Sequence, residues 1–252
     1  MNPAYIGTPC RVLLTLAVLA SLFARPVLAQ QAPPPPPPAR EGTAEFAFVG
    51  TSGNSSTQAL GLGGEVTFRP SPWVFNSKAA YVRNEADDVV EAESFAALFQ
   101  ASRAIRPRLS TYGRYAYLRN TFAGIEHRNS ISGGLQYQVL TGPVHLLKTN
   151  AGIGYANEQR LLGNDLSAAE FLTGAGYKWV FSPTADLTND FNFSLSFEDS
   201  DDWRTANIVA VTAKLTTVLS LKLSNTVRYV HEPVEGFNNT DTLTSVALVA
   251  KF

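Results

Sequence analysis

The sequence predicts a twelve-stranded antiparallel β-barrel that crosses a membrane. Three observations lead to this fold class: apolar and polar residues alternate with period two, short and long connections alternate along the chain, and the alternating segments are longer than strands of globular sheets. The 252 residues are 16% charged and 45% hydrophobic. Past the N-terminal region there is no apolar run of about 18 residues, which excludes a helical membrane protein.

The N-terminal region predicts export followed by a spacer. Arg11 precedes an apolar run over 12–23, and the small-residue pattern ending at Ala29 is typical of signal-peptide cleavage. We therefore predict a signal peptide over 1–29 and a proline-rich periplasmic linker over 30–42. The tract Pro33–Pro38 favours polyproline II, which suits a semi-rigid spacer. A tether to a periplasmic partner is the alternative.

Period-two alternation is clearest from Leu187 to Glu198. Phe191, Phe193 and Leu195 share one face, and the serines and acids between them share the other, as a strand requires. Counting such segments predicts a barrel over 43–252 with strands near 43–52, 57–69, 73–84, 91–103, 109–119, 127–139, 144–157, 168–181, 185–198, 204–215, 219–230 and 241–252.

The connections indicate which kind of barrel this is. Alternate connections are tight and mostly contain proline, whereas those between them are longer, which is the layout of outer-membrane barrels. The even strand number puts both chain ends in the periplasm. A terminal aromatic, Phe252, on the last alternating strand looks like the signal read by the barrel-assembly machinery, so we expect that machinery, membrane lipid and lipopolysaccharide as partners.

The lysines all fall in the phase opposite to Phe and Leu, where they would face a wet lumen rather than lipid. A charge placed at Phe193 should therefore meet lipid, and one at Ser194 should meet the lumen. The predicted lumen-facing charges, our candidate pore lining, are Lys78, Arg114, Lys148, Glu170, Lys178, Asp190, Lys214, Lys222 and Arg228.

The segment from Phe46 to Thr57, with its Gly53-Asn54-Ser55-Ser56 core, resembles the start of the YdiY-like family of salt-induced outer-membrane proteins, a family of unknown function. Trp73 and Tyr112-Gly113-Arg114-Tyr115 are similar to further family features. The resemblance implies a β-barrel in the outer membrane of a Gram-negative bacterium and implies no reaction.

No catalytic constellation is visible in the sequence. None of His127, His145 and His231 has a serine two positions away, as an outer-membrane lipase would need. The only cysteine is Cys10, which excludes cysteine-based metal sites, and the balanced charge carries no nucleic-acid footprint. We predict no enzyme, cofactor or metal.

Charges near the longer connections are interpreted as solvated loop charges, with collection of divalent cations by the acidic ones as the alternative. They include Glu158, Asp201, Asp202, Arg128, Arg160 and Arg204.

The expected function is a narrow pore for small polar solutes or ions, with a response to salt or osmotic stress as a further expectation. A non-conducting structural or stress-adaptive barrel is the alternative, and a lipid-modifying enzyme is third.

Overall fold

The computed structural model describes residues 37–52, 57–86 and 89–252, and these form a closed antiparallel barrel. Each strand pairs with its neighbours in sequence, and β12 pairs with β1 to close the ring. The predicted fold class of twelve strands is therefore confirmed. The strands β1 to β12 are Arg40–Ser52, Thr57–Phe68, Trp73–Ala86, Val89–Arg106, Leu109–Asn120, Ile125–Thr141, His145–Arg160, Leu166–Ser182, Ala185–Ser196, Trp203–Lys214, Leu219–Val230 and Thr240–Lys251, and a single-turn 3-10 helix covers Thr121–Ala123.

The outer surface of the barrel is an apolar belt. Ile131 on β6 and Ile153 on β7 are each 65% exposed on the outside of the barrel. Their immediate neighbours along each strand have the opposite phase and point to the interior. A surface of this kind would be costly in water but is matched to lipid tails. The period-two pattern therefore places its apolar phase outward, the reverse of a soluble barrel.

Two aromatic girdles border this belt. One contains Trp73, Phe75, His145, Trp179 and Phe181, with Trp73 stacked on Phe75 at 6.1 Å and His145 on Trp179 at 6.2 Å. The other is centred on Trp203, whose ring lies 5.0 Å from Tyr229 and 5.1 Å from His231. Aromatic rings at both edges of an apolar belt mark the two membrane–water interfaces.

The two rims of the barrel differ. One, the turn rim, carries tight turns such as those after Phe68 and Ser182 and also both ends of the barrel chain. The other, the loop rim, carries the longer connections 121–124, 161–165, 197–202 and 231–239. At the turn rim Gly42 and Phe252 exchange two backbone hydrogen bonds, of 2.8 and 3.0 Å, which seal the junction between β1 and β12.

The strand boundaries differ from the predicted ones in two respects. The first strand begins at Arg40, so the last residues of the predicted linker 30–42 belong to the sheet. The reason is that the β1–β2 hairpin extends to the pair Arg40 and Phe68, and Arg69 pairs with Glu41 beside it. The fourth and seventh strands also run further into the predicted loops, to Val89 and Arg160.

The predicted signal peptide (1–29), most of the proline tract, the segment Gly53–Ser56 of the family resemblance and Asp87-Asp88 lie outside the described residues. Within the described part of the chain, no helix is long and apolar enough to cross a bilayer.

Candidate pore and its constriction

The interior of the barrel holds a set of ion pairs near the turn rim and at mid-height. Lys78 lies 3.1 Å from Glu65, and Lys178 lies 3.2 Å from Asp186. Lys222 donates to Glu45 at 2.9 Å across the strand between them. These contacts place three of the five predicted lysines on the inner face, as the sequence phase requires.

Two further cations of the interior have no carboxylate partner within the described residues. Arg114 donates to the neutral amide oxygen of Gln100 at 2.8 and 2.9 Å, and its guanidinium lies over the Tyr112 ring at 5.2 Å. The ammonium of Lys148 forms no salt bridge there, although it interacts electrostatically with Lys78, Arg114 and Asp190. The middle of the lumen therefore carries two cationic side chains that form no salt bridge within the described residues.

The remaining predicted lining residues lie at different heights. Lys214 donates to the carbonyl oxygen of Pro183 at 3.3 Å, which places it in the turn rim. Arg228 and Asp241 line the lumen near the loop rim, and Asp190 lines it near the turn rim. Glu170 lies close to the loop rim, where it pairs with Arg128.

The lumen contains two cavities at different heights. Near the turn rim a cavity of about 400 Å³ is lined by Gln138, Lys148, Lys178, Thr188 and Asp190 among others. Near the loop rim the cavity has only about 80 Å³, lined by residues that include Asn120, Phe122, Arg228 and Asp241. The described interior therefore holds a larger cavity near the turn rim and a smaller one near the loop rim.

A group of buried charges fills one side of the lumen at the loop rim. We call it the charge network, and it consists of Arg128, Glu158, Arg160, Glu170, Asp202 and Arg204. Glu158 is at its centre and only 1% exposed. It accepts hydrogen bonds from Arg128 and Arg160 at 2.8 Å and from Arg204 at 2.5 Å. Since Arg128 is on β6 and Arg204 on β10, these side chains reach through the lumen across the strands between them.

The interpretation as solvated loop charges is therefore wrong for Arg128, Glu158, Arg160, Asp202 and Arg204, whereas Asp201 is exposed as that interpretation expects. Asp202 is 4% exposed, and the structure draws it and Glu158 into the lumen. The cause is the length of the strands, because β7 continues to Arg160 and brings its last charges onto the inner wall. In the sequence, the only sign of this burial is that Arg128, Glu158 and Glu170 have the same strand phase as the predicted pore lining.

One long connection crosses the mouth, and we call it the lid. It is the connection 231–239 between β11 and β12, and it packs on the turn between β5 and β6, six strands away in a ring of twelve. A Cβ atom on Gly124 would lie 2.6 Å from the Phe237 ring and 2.9 Å from Val234, which is 4% exposed. Gly124 also has φ of +73°, a conformation that favours glycine. The lid therefore crosses the mouth and is held by apolar contacts at its far side.

The three histidines have roles in the girdles. His127 shares a hydrogen bond with the Tyr117 hydroxyl (2.7 Å), and His145 and His231 do the same with Tyr177 and Tyr229. None of these bonds joins a histidine to a serine or a carboxylate. In the described ranges, no group of three or more His, Cys, Asp or Glu is placed to hold a metal ion.

A closed antiparallel barrel with an apolar belt, two girdles and a charged interior defines an outer-membrane β-barrel of porin-like fold. Residues 44–252 match the model of the family described as "Protein of unknown function, DUF481", and the chain belongs to that family. The resemblance to YdiY-like proteins, which are DUF481 proteins, is thereby confirmed. No curated protein matches the sequence.

Solved structures share the fold at low sequence identity. The NanC porin aligns with a TM-score of 0.58 at 9% identity, over 83% of this chain and 100% of the porin. The translocator domain of the autotransporter NalP from Neisseria meningitidis aligns with a TM-score of 0.51 at 11% identity, over 96% of this chain and 95% of that domain. Together with the apolar belt, this fold indicates a location in the bacterial outer membrane.

Proposed function

We propose that the protein is a narrow pore for small polar solutes or ions, with the loop rim outside the cell and both chain ends in the periplasm. The observation that carries the proposal is the cavity near the turn rim, because a charged interior with a cavity of about 400 Å³ at one end is unlike the filled core of a structural barrel. Contacts with lipid and lipopolysaccharide, and recognition of the strand ending at Phe252 by the assembly machinery, belong to the same proposal.

The charge network and the lid form the constriction of the proposed pore. Two buried atoms of the network, Arg160 Nη2 and Asp202 Oδ2, have no hydrogen-bond partner within the described residues. Buried polar atoms of this kind are commonly satisfied by water. We therefore assign the solute path to the space beside the network, where such water would be bound.

The same constriction supports the second candidate function, a barrel that does not conduct. The lid crosses the loop-rim mouth and the network fills one side of it, and a mouth that never opens would make the protein a structural element of the envelope. The two functions differ in one measurable property, which is ion conductance.

The test is conductance of the refolded protein in a planar bilayer. The proposal expects discrete small steps for the wild type and larger steps for Phe237→Ala, which removes the ring packed on Gly124. Phe197→Ala is the matched control, because Phe197 is 61% exposed at the same rim and its loss should leave the steps unchanged. Absence of conductance in the wild type and in Phe237→Ala would favour the non-conducting barrel.

A response to salt, which the family resemblance implies, stays a prediction. Titrating ionic strength in the same bilayer experiment would measure it as a change in open probability beyond the ordinary rise of conductance with salt.

A further inference from the structure

The outer surface carries a polar patch within its apolar belt. It consists of Asn189, Asn207, Asn225 and Thr244, one residue on each of the adjacent strands β9 to β12. Each shares its strand phase with outward apolar residues such as Phe191, Leu223 and Val246, which are 39%, 52% and 43% exposed. These polar side chains therefore point away from the lumen.

The patch lies between the two girdles. In the sheet register Asn189 and Asn225 are both level with Val209, and Thr244 is level with Asn225. Along β11, Leu221 and Leu223 separate Asn225 from the turn rim, and Val227 separates it from Tyr229 of the girdle. The amides are consequently at the depth of lipid tails, which offer no hydrogen bonds.

The hydrogen bonds within the patch leave part of its capacity unused. Asn189 donates to Asn207 at 2.8 Å, and Asn225 donates to the Thr244 hydroxyl at 3.0 Å. An asparagine side chain has two N–H donors and a carbonyl oxygen with two lone pairs. In the described chain, Asn207 and Asn225 form no other side-chain hydrogen bond, so each amide keeps at least one donor available.

The other outward asparagines of the described barrel are placed differently. Asn129 accepts from the Tyr115 hydroxyl, and Asn157 donates to Ser167 at 2.7 Å, both close to the loop rim. Headgroups and water reach that level of a membrane barrel. The wall opposite the patch presents Phe99 and Ile131 at mid-height. The patch is thus a local exception in the belt.

We infer that the patch is the contact between two copies of this chain in a symmetric dimer. A rotation axis along the membrane normal carries the patch onto a second copy at the same depth, so each amide meets another amide rather than lipid. Amides both donate and accept, which makes the surface self-complementary, as a two-fold interface requires. Polar side chains are known to hold membrane segments together in this way. The inference does not depend on the proposed pore function.

Cross-linking tests the contact. Val209→Cys places a thiol at the centre of the patch, and Ile131→Cys places one on the opposite wall at 65% exposure. Both are made in a Cys10→Ser background, since Cys10 is the only cysteine of the sequence. With a short bismaleimide in outer membranes, we expect at least tenfold more cross-linked dimer from Val209→Cys. Equal yields, or no dimer from Val209→Cys, would overturn the inference.

A second measurement asks whether the amides hold the dimer. Asn207→Leu combined with Asn225→Leu should convert the protein from dimer to monomer in sedimentation measurements in mild detergent. Asn157→Leu, which alters an outward asparagine near the loop rim, should leave the dimer intact. A wild type that sediments as a monomer, or a double variant that remains a dimer, would show that the patch is not the contact.

Discussion

We expect Glu158→Gln to destabilise the barrel by about 3–5 kcal/mol, the usual cost of removing one partner from a buried ion-pair group. The substitution keeps the shape of the side chain but removes its charge. Glu158 is 1% exposed, and the arginines Arg128, Arg160 and Arg204 are only 12–13% exposed. They would be left with Glu170 and Asp202 as counterions, and the network would carry a net positive charge inside the barrel.

The matched control is Glu65→Gln. Glu65 pairs with Lys78 at 3.1 Å, but the two side chains are 39% and 53% exposed. An exposed pair contributes about 0–1 kcal/mol because water competes for both charges. The two variants therefore remove the same charged group from the same lumen, but Glu158 is buried among three arginines, whereas Glu65 is partly exposed beside one lysine.

Urea unfolding of the refolded protein in phospholipid vesicles measures both changes. The difference of about 2–5 kcal/mol between the variants follows from their burial. A loss below about 1 kcal/mol for Glu158→Gln would refute the reasoning, because it would mean that water already reaches the network and screens it.

Three further predictions follow from the barrel wall, the lid and the lumen. Phe191→Arg should lower the free energy of unfolding by about 2–4 kcal/mol in the same titration, because it puts a cation in lipid. Asn192→Arg faces the lumen between Gly174 and Ala206 and should lower it far less. Equal losses would mean that the two faces are reversed. Gly124→Ala should raise bilayer conductance by displacing Phe237. Gly163→Ala should leave the conductance unchanged, because Gly163 has a similar φ of +83° but no atom within 4 Å of the added Cβ. A rise in both variants would assign the effect to backbone strain. Lys148→Glu should shift the reversal potential in a salt gradient toward cation selectivity, and an unchanged potential would place the solute path away from this lysine.

The strands and their faces could be predicted from sequence because each depends on local information. Alternation between neighbours decides which face a side chain takes, so the inward phase of Lys78 and Lys222 is visible without knowing the partner strands. The aromatic residues of the girdles could also be identified in the sequence. The depth at which each of them lies in the membrane could not, because it depends on the tilt of the sheet.

The charge network and the lid could not be predicted, because they depend on which residues face each other through the lumen. Glu158 and Arg204 are 46 positions apart and meet only through the register of the strands between them. The same register changes the choice of a test residue. Ser194 pairs with Arg204 in the sheet, so an arginine at Ser194 would meet like charge, and the Asn192 variant is the better probe of the lumen.

The composition of the charge network has a consequence for electrical behaviour. Its three arginines and three carboxylates cancel, so moving the group as a whole through the membrane transfers no net charge. Moving one elementary charge across the membrane changes its energy by about 2.3 kcal/mol per 100 mV of membrane potential. This energy is zero for an assembly that carries no net charge. Displacement of the charge network as a unit should accordingly be nearly independent of voltage, so any voltage dependence of opening would have to come from the lid, which carries Glu232 and Glu235.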